Sequence, residues 1–258
     1  MKKIFFGFII LSVLFSGGCN LDSPVNGHFN LPTGLLTSGG SFNDTTNISA
    51  LIIVQGISGY DSRESIIESG YAMTYFCNSD DFIDVSSVAV NDNQLLKIDD
   101  LTGTYGGAIE YPKTDPRNIM WYAMGYLGGN LIDTFQVVEP MTLTNINYLD
   151  RINKNQGYVI NYIGSNGGIL YVKISYGPRC ASYPDSVLSG IETIAFQVPD
   201  NGNFTITPEI LSTLPSDQYY DLSIEHRSYS TEPYNGHYIG KCSLFRTFTS
   251  FYLISNSN

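Results

Sequence analysis

Short runs of β-branched and aromatic residues, separated by turn residues, follow one another along the chain from Ala50 onward. Runs of this kind, bounded by Gly, Pro, Asn and Asp, are typical of β-strands. Trp121 alternates with Ile119 and Ala123, and this period-two pattern predicts that its ring is buried on one face of a sheet. The predicted strands are Ala50–Ile57, Gly70–Cys77, Val85–Val90, Leu95–Ile98, Ala108–Tyr111, Ile119–Tyr126, Asp133–Val138, Tyr158–Ile163, Gly168–Ser175, Glu192–Val198, Asn203–Thr207, Tyr220–Ser228, Tyr238–Cys242 and Phe245–Ile254.

Turn residues at fixed positions predict how some of these strands are joined. Asn91-Asp92-Asn93 indicates a hairpin, because Asn and Asp tolerate positive φ. Pro199-Asp200-Asn201-Gly202 indicates a tight turn. Thr207-Pro208 predicts a brief helix with Thr at the N-cap, which Pro215 ends.

The fold class predicted from this pattern is all-β. Pro140, after Glu139, marks a boundary because proline cannot continue a central strand. We therefore expect two tandem β-sandwich domains, 48–139 and 140–258, each long enough to bury its own core. A single larger β domain is the alternative.

The N-terminal residues have the order of a secretory signal. Lys2 and Lys3 precede an apolar run from Ile4 to Phe15, which is too short to span a membrane as a helix. Small residues then lead to Cys19. Residues 19–47 are rich in Gly, Ser, Thr, Asn and Pro, and this composition predicts a flexible tether.

The segment Ser16–Cys19 resembles a bacterial lipobox, although Ser16 stands where that motif usually has Leu. The resemblance implies cleavage after residue 18, a diacylglycerol anchor on the Cys19 thiol and attachment to a membrane. Asn20, in place of Asp, favours the outer membrane over the inner one. An ordinary cleaved signal peptide with an incidental cysteine is the alternative.

The SVAVNDNQLL hairpin before IMWYAMGY, and the VPDNGNFTITPEIL stretch, complete a wider resemblance. With the lipobox and the tether, they are similar to segments of predicted surface lipoproteins of Gram-negative bacteria that carry tandem immunoglobulin-like β-sandwich domains. The resemblance implies a fold and a location in the cell envelope, on its periplasmic or its external side. It implies no chemistry.

Charge narrows the classes of partner. The chain has 13 basic and 24 acidic residues and a net charge of −11, which excludes nucleic acid as a partner, since that binding depends on basic contacts to phosphate.

With Cys19 acylated, Cys77, Cys180 and Cys242 remain in an oxidising compartment. Three pairings are open, and we favour Cys180–Cys242 because both lie in the second half.

We predict that the chain is not an enzyme, because its sequence contains none of the common catalytic motifs. His226 lies between Glu225 and Arg227 on a predicted strand, on the opposite face from both, and reads as a packed histidine. His237 is expected in a loop. A hydrolase with an unrecognised pair of carboxylates is the third functional hypothesis, and its possible members are Glu192, Glu209, Glu225 and Glu232.

No cofactor is predicted. Calcium is the metal that the composition would allow, at Asp80, Asp81 and Asp84 or at Asp99 and Asp100, although neither group matches a calcium-loop motif.

The candidate ligand-binding residues are Tyr229, Tyr234 and Tyr238, around a predicted loop at Ser228–Gly240. The leading functional hypothesis is a non-catalytic envelope lipoprotein for adhesion or protein binding. A carbohydrate-binding lipoprotein, with these rings stacked on sugars, is the second.

Overall fold

Strands dominate the part of the chain that the computed structural model describes, which is residues 48–60, 66–78, 81–99, 103–164, 168–176 and 194–255. A short 3₁₀ turn at Tyr126–Gly128 and one helix, α1 (Pro208–Ser212), complete these elements. The strands are β1 (Ile48–Tyr60), β2 (Ile66–Asn78), β3 (Asp81–Phe82), β4 (Ser87–Val90), β5 (Asn93–Asp99), β6 (Thr104–Ile109), β7 (Asn118–Met124), β8 (Asn130–Gln136), β9 (Thr142–Leu143), β10 (Asp150–Asn153), β11 (Tyr158–Ile163), β12 (Ile169–Tyr176), β13 (Ile194–Pro199), β14 (Asn203–Ile206), β15 (Gln218–Tyr234) and β16 (His237–Ile254).

Most of these strands belong to one sheet of 13 strands, ordered β13-β12-β15-β16-β1-β2-β6-β5-β4-β7-β8. Off this path, β10 pairs in parallel with β16, and β3 pairs with β2. A second sheet has the order β14-β11-β9. The predicted all-β class is therefore confirmed. The tandem immunoglobulin-like arrangement is not confirmed, because one sheet joins strands of both predicted halves through the neighbours β16 and β1.

The chain forms two compact units that are built from alternating segments. Among the described residues, the first unit contains those up to Gln55, those in Ser69–Val137 and those in Ser228–Leu244, and the second contains those in Gly56–Glu68, those in Val138–Arg227 and those from Phe245 onward. The divisions fall within β1, β2, β15 and β16, the longest strands. The predicted domain limits 48–139 and 140–258 stay a prediction, and the limits before residue 48 lie outside the described residues.

The core of the first unit is built on aromatic side chains. Ile119, Trp121 and Ala123 are fully buried on β7, which confirms the predicted position of the tryptophan. The Phe76 ring lies 6.2 Å from the Trp121 ring and 5.8 Å from that of Tyr126. Aromatic pairs at this spacing stabilise a core beyond the area that they bury.

Two hairpins depend on backbone conformations with positive φ. Asn91 and Asp92 have φ of 44° and 63°, and they join β4 to β5 as predicted. Asn235 and Gly236 have φ of 48° and 83°, and they join β15 to β16. Positive φ at both central residues is the type I′ geometry that suits the twist of a hairpin.

The β15–β16 hairpin corrects two sequence predictions. The prediction of a loop at Ser228–Gly240 is wrong, because strands occupy this whole segment except Asn235 and Gly236. The strands predicted at Tyr238–Cys242 and Phe245–Ile254 are one strand, β16. The Ser-, Thr- and Tyr-rich sequence lacks the apolar alternation of a buried strand, yet these residue types tolerate extended backbone.

In the second unit, β12 and β15 supply apolar side chains to a common core. Leu170, Val172 and Ile174 on β12 are buried, as are Leu222 and Ile224 on β15. Val172 lies opposite Ile224, and Ile174 opposite Leu222, in the antiparallel register. The predicted helix is confirmed as α1, whose Ile210 N–H donates to the N-cap Thr207 hydroxyl at 3.5 Å.

Gly164, which follows β11, occupies a position that only glycine fits. Its φ is 92°, and a Cβ there would clash with the Pro140 carbonyl oxygen. Gly168 has a similar φ of 101°, but apart from its chain neighbours no described atom lies within 4 Å of the point that a Cβ would occupy.

We predict that Gly164→Ala lowers the free energy of unfolding by more than about 3 kcal/mol, because strain and a steric clash act together. The matched variant Gly168→Ala adds strain alone and should cost roughly 1–2 kcal/mol. Urea denaturation of both variants measures the difference. Equal losses would show that the contact with Pro140 does not constrain the turn.

Candidate functional site

The three tyrosines predicted as a binding cluster do not form one exposed platform. Tyr229 is packed against the core residues Ile48 and Leu51, and its hydroxyl oxygen approaches Gly240. Burial raises the pKa of the Tyr229 phenol, as does the neighbouring Cys242. Tyr229 and Tyr234 are five positions apart on β15, so their side chains leave opposite faces of the strand.

Tyr234 and Tyr238 lie near the end of the hairpin. The Tyr234 hydroxyl donates to the Asn130 carbonyl oxygen at 2.9 Å, and its ring lies 5.9 Å from that of Tyr126. Tyr238 is exposed at 38%. Of the three predicted residues, only Tyr238 therefore offers a broadly accessible ring, which gives little support to a three-ring sugar platform.

A buried lysine lies on β16 beside this hairpin. The Lys241 side chain is 1% exposed, and its Nζ lies 2.8 Å from Asp133 Oδ2 and 2.7 Å from Glu232 Oε2. Asp133 also accepts hydrogen bonds from Trp121 Nε1 at 3.3 Å and from the Thr134 N–H at 2.7 Å. The burial of Lys241 could not be predicted from the sequence, because an isolated lysine in a polar stretch gives no signal of burial.

A more extensive feature is a sheet face of apolar and uncharged polar residues on β5, β4, β7 and β8, which we call the uncharged face. The strand register places Gln94 and Ala89 on the same side as Tyr122 and Ile132. Cross-strand partners point to the same side of a sheet, and residues two apart along a strand share that side. The face consists of Gln94, Leu96, Ile98, Ser87, Ala89, Met120, Tyr122, Met124, Asn130, Ile132, Thr134 and Gln136.

Exposure of large apolar side chains sets this face apart. Leu96 is 73% exposed and Ile132 is 67% exposed. Met124, Met120 and Ile98 are exposed at 46%, 43% and 42%. No Asp, Glu, Lys or Arg occurs among the residues that define the face, although the whole chain has a net charge of −11.

The uncharged face is large enough to form the centre of an interface. Four strands at about 4.8 Å spacing, with β8 about 20 Å long, give an area of roughly 300 Å². Clustered exposed apolar side chains of this extent often mark interaction sites, and the centres of interfaces are depleted of charge. The segment IMWYAMGY carries a signal for this face, because apolar residues occupy both sets of alternating positions. The sequence prediction used only the set that contains Trp121, which is the buried set.

The carboxylates considered for hydrolysis have separate surroundings. Glu225 is buried between Arg246, whose Nη2 lies 2.7 Å from its Oε2, and Arg227. Burial would raise the pKa of Glu225, but the two guanidinium groups outweigh it and hold the pKa below its usual range. Glu209 accepts a hydrogen bond from Thr207, which lowers its pKa, and Glu232 pairs with Lys241. Glu192 lies outside the described residues.

The predicted calcium and disulfide sites lie partly outside the described residues. Asp84 is 80% exposed at its side chain and pairs with Lys97 at 3.0 Å, which lowers the pKa of Asp84. Within the described ranges, no three metal-binding side chains come together. Asp80 and Asp100 lie outside those ranges, as do Cys19 and Cys180. The Cys180–Cys242 disulfide therefore stays a prediction, and Cys242 itself is 1% exposed.

Both histidines that were considered as candidate catalytic residues lie on strands. His226 is buried at 9% exposure on β15, as predicted for a packed histidine. The residues on either side of it, Glu225 and Arg227, contact each other, as expected for residues on one face of a strand. His237 is the first residue of β16, where a loop was expected.

No family model and no curated protein matches the sequence. Among the described residues, no helix has the length and apolar character needed to span a membrane.

The burial of Asp221 makes the stability of the fold depend on pH. Burial raises its pKa to about 6, against the opposing effect of the Ser250 hydroxyl, which donates to Oδ1 at 2.5 Å. Because the folded protein holds this proton more tightly than the unfolded chain, stability falls as the pH rises from about 4 to about 6. Below that range both states are protonated, and the cost disappears.

We predict that Asp221→Asn raises the free energy of unfolding by about 1–3 kcal/mol at pH 7.5, since it removes the cost of burying the charge. At pH 4 the gain should nearly vanish. Urea denaturation at both pH values measures the difference, with Glu110→Gln, at an exposed carboxylate, as the control. A gain that is the same at both pH values would contradict this account.

Proposed function

We propose that the chain is a lipid-anchored protein of the bacterial cell envelope that binds another protein without catalysing a reaction. The anchor is the Cys19 thiol, and the favoured location is the outer membrane. The binding surface is the uncharged face of β5, β4, β7 and β8. Its exposed apolar side chains are the observation that carries the proposal.

The chemistry of the uncharged face favours a protein over a sugar. Sugar sites use several aromatic rings flanked by polar groups, whereas this face has one tyrosine, and its exposed large apolar side chains are aliphatic or thioether. Leu96 and Ile132 present apolar surface to water, and covering that surface supplies a driving force for association. Methionine adapts its shape to a partner, and Met120 and Met124 lie between them on β7.

The surroundings of Glu225 and Glu232 give no support to a hydrolase. Glu225 is neutralised by two arginines, and Glu232 is paired with a buried lysine. A glycoside hydrolase needs two carboxylates about 5–9.5 Å apart on either side of a substrate. Glu225 and Glu232 each contact basic side chains of the chain itself, which is the arrangement of ion pairs and not of a pair of catalytic carboxylates.

A photo-crosslinking amino acid placed at Leu96 tests the binding surface in cells that express the full chain. We predict a crosslinked protein adduct at this position, and a loss of at least tenfold in its yield when Ile132→Asp is added, because an unpaired charge must then be buried. The matched position Ser230, which is exposed on β15, should give no adduct.

The outcome distinguishes the possible partners. An adduct of twice the chain mass identifies a second copy of this chain, and any other discrete mass identifies a different protein. Either result supports protein binding through the uncharged face. No adduct at Leu96, or equal adducts at Leu96 and Ser230, would contradict it.

The lipid anchor has its own test. We predict that the mature protein begins at Cys19 and carries acyl chains, because the preceding segment resembles a lipobox. Mass spectrometry of the N-terminal peptide should show this modification, and Cys19→Ser should release the protein from membranes into the soluble fraction. An unmodified N-terminus downstream of Cys19 would rule out the anchor.

A further inference from the structure

We propose that Lys241 and Asp133 form an intramolecular isopeptide bond, with Glu232 as the catalytic residue that transfers the protons. The bond joins Lys241 Nζ to Asp133 Cγ and releases one water molecule. It would link the edge strand β8 to β16 by a side-chain amide. This is a self-modification and is independent of the protein-binding function proposed above.

Lys241 Nζ already contacts both of the other groups. Lys241 Nζ lies 2.8 Å from Asp133 Oδ2 and 3.0 Å from Oδ1, so it contacts both oxygens of the carboxylate that it would attack. Glu232 Oε2 lies 2.7 Å from the same nitrogen. Holding reactants at contact distance converts a slow bimolecular condensation into a unimolecular one.

Burial favours the uncharged product. The Lys241 side chain is 1% exposed and the Asp133 side chain 17%, beside the fully buried Trp121. Keeping an ion pair in such a site carries a large desolvation cost. Condensation removes both charges, and limited access of water opposes the reverse hydrolysis. Glu232 is 58% exposed, so it offers the water and protons a route to solvent.

Two donors are placed to stabilise the charge that develops on Asp133. Trp121 Nε1 lies 3.3 Å from Oδ2, and the Thr134 N–H lies 2.7 Å from Oδ1. When an amine attacks Cγ, negative charge develops on the carboxyl oxygens, and fixed N–H donors stabilise it. The attack requires Nζ to move above the plane of the carboxylate, which leaves Oδ1 and Oδ2 on these two donors.

The proton and atom balance closes with no added reagent. Glu232 takes a proton from the Lys241 ammonium and delivers it to an Asp133 oxygen. The neutral amine attacks Cγ, and the C–N bond forms. Glu232 then moves a second proton from the nitrogen to the departing oxygen, and the C–O bond breaks. Two of the three ammonium protons leave in water, the amide keeps the third, and Glu232 ends as a carboxylate.

Mass spectrometry of the purified full chain tests the bond directly. We expect a peptide that joins the Lys241 and Asp133 segments, with a mass lower by about 18 Da than the sum of its parts. Trypsin should not cleave after Lys241 in that species. Incubation at neutral pH before digestion allows the reaction to finish.

Three variants identify the chemistry. Lys241→Arg should have the full mass, and Glu232→Gln should form the bond at least tenfold more slowly. Asp133→Asn should still react, but with a loss of about 17 Da, because ammonia leaves in place of water. Far-UV circular dichroism shows whether each variant folds.

The wild-type protein decides the question even where a variant fails to fold. A wild-type chain with unlinked peptides after long incubation would overturn the proposal and leave the three groups as an ion pair. A loss of water that persists in Lys241→Arg would also overturn it, since dehydration would then lie elsewhere. An unchanged rate in Glu232→Gln would remove Glu232 from the mechanism.

Discussion

The strand β1 imposes the main constraint on this fold, because nearly all of it is buried on both faces. Ten of its 13 residues are buried, among them Ala50, Ile52 and Val54 at 0% exposure. Its peptide groups cannot reach water, so they must be satisfied by neighbouring strands. β16 supplies one neighbour and β2 the other. The last strand of the described chain therefore has to pair with the first.

Charged side chains are few in this chain, and some of them are buried in the protein. Glu225 with Arg227 and Arg246 forms a buried group in one unit, and Lys241 with Asp133 and Glu232 forms another in the other unit. Buried charges are tolerated where partners and hydrogen bonds compensate for desolvation. The uncharged face shows the opposite arrangement, because apolar side chains are exposed to water there. The proposed binding function rests on this face and not on either ionic group, because covering exposed apolar surface supplies a driving force for association.

Local features of the fold could be predicted from the sequence, whereas strand partners could not. The turn at Asn91 and Asp92, the burial of Trp121 and the cap at Thr207 follow from a few adjacent residues. The pairing of β16 with β1 depends on contacts between opposite ends of the described chain, which no local pattern encodes. The tyrosine-rich hairpin was predicted as a loop because its composition is polar. The uncharged face was missed because exposure of Met120 and Met124 depends on which sheet side lacks a cover.

Methionine oxidation in intact cell envelopes, compared with the purified chain, tests the central claim that a protein covers the uncharged face. Met120 and Met124 are 43% and 46% exposed, whereas Met73 and Met141 are 6% and 0% exposed and serve as internal controls. In the purified protein, Met120 and Met124 should oxidise much faster than the controls. In the envelope, the account predicts that they become protected toward the rates of Met73 and Met141. Equal rapid oxidation of Met120 and Met124 in both settings would contradict it.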